Sequence, residues 1–281
     1  MGQGVISNYL AYASLLEGFR IVQFTNLSTS IDVSWDQFSY MELSEFIYDP
    51  ADIVVCSWRK LNPRNARSFE ISLQQSRPNK IIFLSTSAIY GECLNAVDES
   101  SIPRPKSRYA LDKLEVENFL SSTSILTVVF FRIGSVFGNH KLPGLVDAVV
   151  RSWTQSPNSS RLELRASTSF TRNFVFIDDL SRSFLEFINS NYFEDIGISA
   201  INIGSSFSID IGSLLTLGEI AANREILYTQ LEPDPEQISC NLIDVGLMTA
   251  ILGKNPVNPY QSLYKFFSAY DSERQERDFL Q

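Results

Sequence analysis

Residues 80–122, KIIFLSTSAIYGECLNAVDESSIPRPKSRYALDKLEVENFLSS, decide how this 281-residue chain is read. Ile81 to Leu84 form a short apolar run that ends in the hydroxyl residues Ser85, Thr86 and Ser87. Such a run, bounded by polar residues, suits a buried strand of a parallel sheet. Pro103 and Pro105 hold the following chain extended, and Ser107 can cap a helix beginning at Arg108 and Tyr109. In that helix Tyr109 and Lys113 lie four apart, which puts both side chains on one face. A free phenol, with a pKa of about 10, is a poor base at neutral pH. A nearby ammonium favours the phenolate, so Tyr109 could exchange a proton with an alcohol or a carbonyl. Thr86, at the end of the strand, could hydrogen-bond the same oxygen. The bland alternative is a solvated helix face on which Lys113 pairs with Glu117 one turn on.

The totals exclude several classes. With 44% hydrophobic and 20% charged residues, the chain fits a globular protein of one large domain or two small ones. A net charge of −9 argues against nucleic acid and anionic membranes as partners. It leaves room for an anionic small ligand held by local donors. Cys56, Cys93 and Cys240 are far apart, odd in number and without metal spacing, so they are expected to be reduced packing groups. The single histidine, His140, argues against a Ser-His-Asp triad or a histidine zinc site, and no metal is expected. No stretch reads as a membrane span or a signal peptide, which makes the cytoplasm the expected location.

Outward from the central stretch, strands and helices alternate. Gly2 and Gly4 precede a helix at Ala11–Leu16 and a strand at Phe19–Phe24. That order matches the first half of a dinucleotide-binding unit, in which glycines let the backbone approach a pyrophosphate at a helix N-terminus. Read alone, Gly-Gln-Gly is equally a flexible start. A short helix is expected around Ser39–Ile47, a strand over residues 51–58, a helix over Arg64–Ser76, a strand over Ser124–Phe131 and a helix over Leu142–Trp153. The alternation predicts an α/β fold: a doubly wound parallel sheet with right-handed crossovers.

Ser85-Thr86-Ser87-Ala88-Ile89-Tyr90-Gly91, followed by Tyr109 and Lys113, resembles the extended short-chain dehydrogenase/reductase family, in its NAD-dependent epimerase/dehydratase group. Arg132-Ile-Gly-Ser135-Val-Phe-Gly138, Thr171-Arg172-Asn173 through Asp179, and Ile201-Asn-Ile-Gly204 fall in the family's order. The resemblance implies a Rossmann-like cofactor domain over residues 1–140 and 174–205, and a smaller substrate lobe over residues 141–173 and 206–281. It implies NAD or NADP as cofactor, held by Gly2, Gly4, Val5, Ile6, Thr25, Ser57, Tyr109 and Lys113. Thr25 stands where the family carries an acidic residue on the adenine ribose, so NAD versus NADP stays open. Tyr109 is then the acid/base, Lys113 its tuner and ribose anchor, and Thr86 the donor that orients the oxygen.

A nucleotide-activated sugar is the implied substrate, with contacts at Thr86, Ser135 (where the family has Asn) and Arg172, which the resemblance sets on a diphosphate. Arg172 is otherwise a surface charge. Residues 231–236 lack the basic residue common in the family, which keeps a reductase of a small carbonyl compound as a rival. Erosion at Met1, Ser7 and Thr25 keeps a nucleotide-binding protein without turnover as another. Ser87 and Ala88 follow Thr86 where the dehydratases place an acidic pair, so an epimerase or 4-ketoreductase is expected. A homodimer is left open. The family's first strand is absent before Gly2, and the expectation is that about five to seven residues of strand precede Met1 in the functional protein.

Overall fold

Residues 80–86 and 127–133 lie side by side, and their apolar side chains alternate between two cores. Ile81, Phe83, Val128 and Phe130 face one core; Ile82, Leu84, Val129, Phe131 and Ile133 face the other. This period of two, with both sets apolar, is what a strand covered on both faces requires. The computed structural model describes residues 5–18, 21–24, 38–41, 53–61, 63–75, 78, 80–123, 127–138, 142, 144–154, 161–190, 192 and 197–271.

The first half runs α1 (Val5–Leu16), β1 (Ile21–Phe24), β2 (Phe38–Met41), β3 (Ile53–Cys56), α2 (Pro63–Gln75) and β4 (Lys80–Thr86). A 3-10 turn (Ser87–Tyr90) then leads to α3 (Arg108–Ser121), β5 (Thr127–Ile133), β6 (Ser135–Phe137) and α4 (Leu145–Thr154). Beyond these come β7 (Leu162–Leu164), β8 (Thr171–Arg172), β9 (Phe174–Phe176), α5 (Ile177–Ile188), β10 (Ile198–Ile203) and β11 (Ile209–Asp210). The chain continues with α6 (Ile211–Ala222), β12 (Tyr228–Gln230), α7 (Gly246–Leu252) and α8 (Pro259–Ser268).

Four strands form a parallel sheet in the order β10-β5-β4-β3. Phe69 of α2 and Val116 and Leu120 of α3 cover one face; Leu10 of α1 and Leu180, Phe184 and Phe187 of α5 cover the other. Helices on both faces of a parallel sheet make the expected doubly wound α/β architecture. Among the described residues, β1 and β2 form a separate parallel pair, with Ile21 opposite Phe38. The helix expected to begin at Ser39 is therefore corrected over residues 39–41, which lie in a strand. Pairing with β1 supplies hydrogen bonds that outweigh a weak local preference.

A third core draws on residues 137–176 and 209–270, among them Val149, Leu164, Phe174, Leu214, Leu263 and Phe267. Short ladders stitch it: β6 with β9, β7 with β12, and β8 antiparallel to β11. Among the described residues, no helix is long and apolar enough to cross a membrane, and no group of three potential metal ligands gathers.

Candidate active site

The site starts at the carboxyl end of β4, where the backbone turns. Thr86 is extended, and its hydroxyl accepts the Ala88 N–H at 3.2 Å, capping the 3-10 turn. Gly91 closes that turn at φ 73° and ψ −141°, a region close to glycine's alone. A Cβ there would stand 2.0 Å from the Arg104 carbonyl oxygen. The Arg104 N–H donates to the Ile89 carbonyl at 2.8 Å, so the turn and the extended 103–107 segment are clasped together. That clasp delivers Ser107, whose hydroxyl accepts the Ala110 N–H at 3.2 Å and caps α3.

One face of α3 then meets β4 at three successive turns. Tyr109 is 42% exposed, and the Thr86 hydroxyl is close enough to act on its phenol. Lys113, only 5% exposed, donates from Nζ to the Leu84 carbonyl oxygen at 2.6 Å and lies 4.7 Å from the Phe83 ring centre. Glu117 accepts from the Ser85 hydroxyl at 2.5 Å. The structure thus brings Thr86, Tyr109 and Lys113 to one end of the sheet.

Their electrostatics differ from the sequence expectation. Loss of solvent raises the Tyr109 pKa above the ordinary phenol value, and the Thr86 hydroxyl and the Arg59 charge only partly offset it. Arg59, just past β3, acts on the phenol, whereas the Lys113 ammonium is turned onto the β4 backbone. Burial pulls Lys113 down to about 8, against the opposing pull of Cys56 and Glu117. Glu117 does not stand in an exposed pair with Lys113. It is buried and bound to Arg132 at 2.9 Å, and Arg132 also donates to the Tyr90 hydroxyl at 3.0 Å and the Glu99 carbonyl at 3.2 Å. Tyr90 passes the chain on to Asn202 at 2.8 Å. Arg59 was detectable only as a basic residue following a strand, and the Glu117–Arg132 pair had no local signal.

Arg172 lies on β8, half-buried beside the Phe170 ring. Its guanidinium donates to the Thr171 carbonyl at 2.8 Å and to Gln237 Oε1 at 3.3 Å, and the charges of Glu92 and Cys240 act on it. Burial lowers its pKa. Ser135 is nearby in the fold, its N–H donating to the carbonyl of Asn173 at 2.7 Å. Asn173 itself is fully buried and accepts the Ser205 N–H at 2.9 Å, tying the start of β9 to the end of β10.

Of the residues assigned to the cofactor, Val5 and Ile6 open α1, with Ile6 packed against the core that covers β4 and β5. Ser57 follows β3 directly and is half-buried. Gly2, Gly4 and Thr25 lie outside the described residues, as does His140. The donor set at the sheet edge fits a dinucleotide. A three-donor ammonium, a phenol and the Arg59 guanidinium are groups that hold ribose hydroxyls and phosphates.

Residues 67–204 match the sequence model of the NAD dependent epimerase/dehydratase family. A human dTDP-D-glucose 4,6-dehydratase is 30% identical over 144 residues, which are 50% of this chain and 39% of that protein. The chain's match therefore spans well under half the length of that curated relative. Among solved structures, a UDP-glucuronic acid 4-epimerase from Bacillus cereus superposes with a TM-score of 0.79 at 20% identity, covering 95% of this chain and 96% of that one. A UDP-glucose 4-epimerase from Thermotoga maritima gives 0.74 at 18% identity, covering 100% and 98%. At these identities the superpositions speak to the fold.

Proposed function

We propose, from the match of residues 67–204 to the NAD dependent epimerase/dehydratase family and from the fold, that this chain is an NAD(P)-dependent epimerase or 4-ketoreductase of a nucleotide-activated sugar, within the extended short-chain dehydrogenase/reductase family. The observation that carries the proposal is the placement of the Tyr109 phenol near the Thr86 hydroxyl, with the buried Lys113 one turn on, at the carboxyl edge of a parallel sheet. Ligands of such folds bind at that edge. The solved structures of similar fold include an epimerase described as a complex with a UDP-sugar and NAD, which supports the same substrate class and cofactor.

In this reading the nicotinamide, when bound, takes up or supplies a hydride at the sugar carbon. Tyr109 exchanges the proton of the oxygen on that carbon. Its raised pKa keeps the phenol protonated at neutral pH, the state needed to donate to a ketone. Thr86 orients the same oxygen through its hydroxyl. Lys113 holds a ribose hydroxyl with the same ammonium that grips Leu84, and Arg172 meets the diphosphate through its planar fork of donors.

Elimination of water needs an acid and a base next to Thr86. Ser87 is instead buried and donates to Asn241 Oδ1 at 3.1 Å, and Ala88 has nothing to ionise. This favours epimerisation or reduction although the curated relatives are named as dehydratases. The test is to incubate the protein with NAD or NADPH and UDP-glucose, UDP-glucuronic acid or dTDP-glucose, and follow the sugar by NMR. A C4 epimer is expected from these sugars, or, when a nucleotide-linked 4-ketosugar is supplied with NADPH, its C4 alcohol; accumulation of a 4-keto-6-deoxy sugar from the hydroxyl sugars would overturn the reading.

A reductase of a small carbonyl compound is favoured by one observation. The loop at 231–236 carries three acidic residues and no basic one, so it adds no cation to Arg172 for a diphosphate. Replacing Arg172 by Ala is expected to weaken UDP binding roughly ten- to a hundredfold, the value of one charge-assisted contact. Unchanged UDP affinity would transfer support to the small-carbonyl reading.

A further inference from the structure

Two of the three cysteines, 147 positions apart in sequence, meet in the fold. The segment after Gly91 runs beside residues 240–244, with Val97 bridged in parallel to Ile243. The Cys93 N–H donates to the Cys240 carbonyl at 3.2 Å, and Val97 N–H donates to the Leu242 carbonyl at 3.1 Å. One such backbone bond brings the two Cα atoms within the roughly 4.4–6.8 Å span that disulfides bridge. We propose that Cys93 and Cys240 form a redox-active dithiol, a modification site that takes a peroxide or a disulfide oxidant and closes to an intramolecular disulfide.

The two thiols have different surroundings, and the difference assigns their roles. Cys240 is half-buried, and its sulfur accepts a hydrogen bond from the Thr171 hydroxyl at 3.4 Å. The Arg172 guanidinium is within electrostatic reach of it. Its partial exposure leaves the Cys240 sulfur open to an oxidant. Cys93 is buried, its thiol donating to the Gly91 carbonyl at 3.3 Å, and the neighbouring Cys240 sulfur acts on it electrostatically. Cys240 is therefore the attacking sulfur and Cys93 the resolving one. Cys56 ends β3 and is buried in a different core from Cys93, where burial pushes its thiol up to about 12.

With hydrogen peroxide the chemistry takes two steps. The Cys240 thiolate attacks one peroxide oxygen, giving a sulfenic acid and releasing hydroxide. The Cys93 thiol then attacks the sulfenic sulfur; the S–O bond breaks and, with the thiol proton, leaves as water. Two thiols are oxidised, and the peroxide is reduced to two waters. Closure requires the Cys93 thiol to leave the Gly91 carbonyl and the Cys240 sulfur to leave the Thr171 hydroxyl.

The test uses the full chain, reduced and freed of reductant, then treated with a few equivalents of hydrogen peroxide. N-ethylmaleimide blocks the remaining thiols before peptide mapping. The expected product is a linked peptide pair carrying Cys93 and Cys240, released by dithiothreitol. Cys240 should lose its free thiol at least ~10-fold faster than Cys56, as their exposure and neighbours dictate. In Cys93→Ser, dimedone should trap a sulfenic acid at Cys240 that the wild type does not accumulate. The inference fails if the wild-type chain shows Cys240 as sulfinic acid without the cross-link, or if neither thiol reacts in the folded protein while both react in urea. Should Cys93→Ser not fold, the wild-type map alone decides.

Discussion

An ammonium in the position of Lys113 is costly to the fold. Burial holds its pKa at about 8, below its ordinary 10.5, so between those values the unfolded chain binds more protons than the native one. The contribution of Lys113 to stability therefore rises as pH climbs from about 8 towards 10.5, and is least favourable at neutral pH. Lys113→Met is expected to be more stable than wild type at pH 7 by about 1–3 kcal/mol, with the gap shrinking by pH 10, while turnover is lost. Urea unfolding at the two pH values measures this, and a variant no more stable at pH 7 contradicts it. Tyr109→Phe keeps the ring and removes the proton, so turnover should fall about 10²–10⁴-fold with cofactor affinity held within a few-fold. Near-normal activity would take Tyr109 out of the mechanism. Thr86, Tyr109 and Lys113 were legible because a strand, a cap and an i,i+4 spacing are local facts. Arg59 and the Cys93–Cys240 contact were not, because their partners come from other strands and from the far end of the chain.

At the level of elements, the turn after β4 and the capped α3 act as one part. Gly91→Ala would force a side chain onto the Arg104 carbonyl and strain a conformation that costs about 1–3 kcal/mol by itself. A loss of about 2 kcal/mol or more is expected from thermal or urea unfolding, and a near-neutral variant would show that the 103–107 segment yields. Glu117 ties α3 to β5 through Arg132. Glu117→Leu would leave the guanidinium buried without its carboxylate, a loss of about 3–5 kcal/mol. Replacing both members with apolar residues should recover most of that. The strands and helices from residue 63 to 154 fell within a few residues of where apolar runs and caps placed them. The strand at 38–41 was missed because Phe38-Ser-Tyr-Met41 has no helical or strand signature of its own. Its pairing with Ile21–Phe24 decides its conformation.

On the scale of the whole molecule, three apolar cores divide the work among the described residues. Two sandwich the β10-β5-β4-β3 sheet, and the third fills the region around α4, α6 and α8. The unbroken apolar run Ile81 to Leu84 pointed to a buried strand of a parallel sheet, and such a strand needs cover on both faces. The third had no signal in local apolar runs, because its strands are two or three residues long and pair across large sequence separations. The placement of Thr86 and Tyr109 against the two middle strands has a consequence for how the protein fails. β4 and β5 are paired on both sides and covered on both faces, whereas Arg172 sits on a two-residue ladder. Local opening free energies follow such differences in support. Under rising urea, affinity for UDP should therefore decline at concentrations where amide protons of β4 and β5 still resist exchange. The protein would lose its grip on the ligand while the proton-transfer pair is still assembled, so high substrate concentrations should restore turnover until the sheet itself melts.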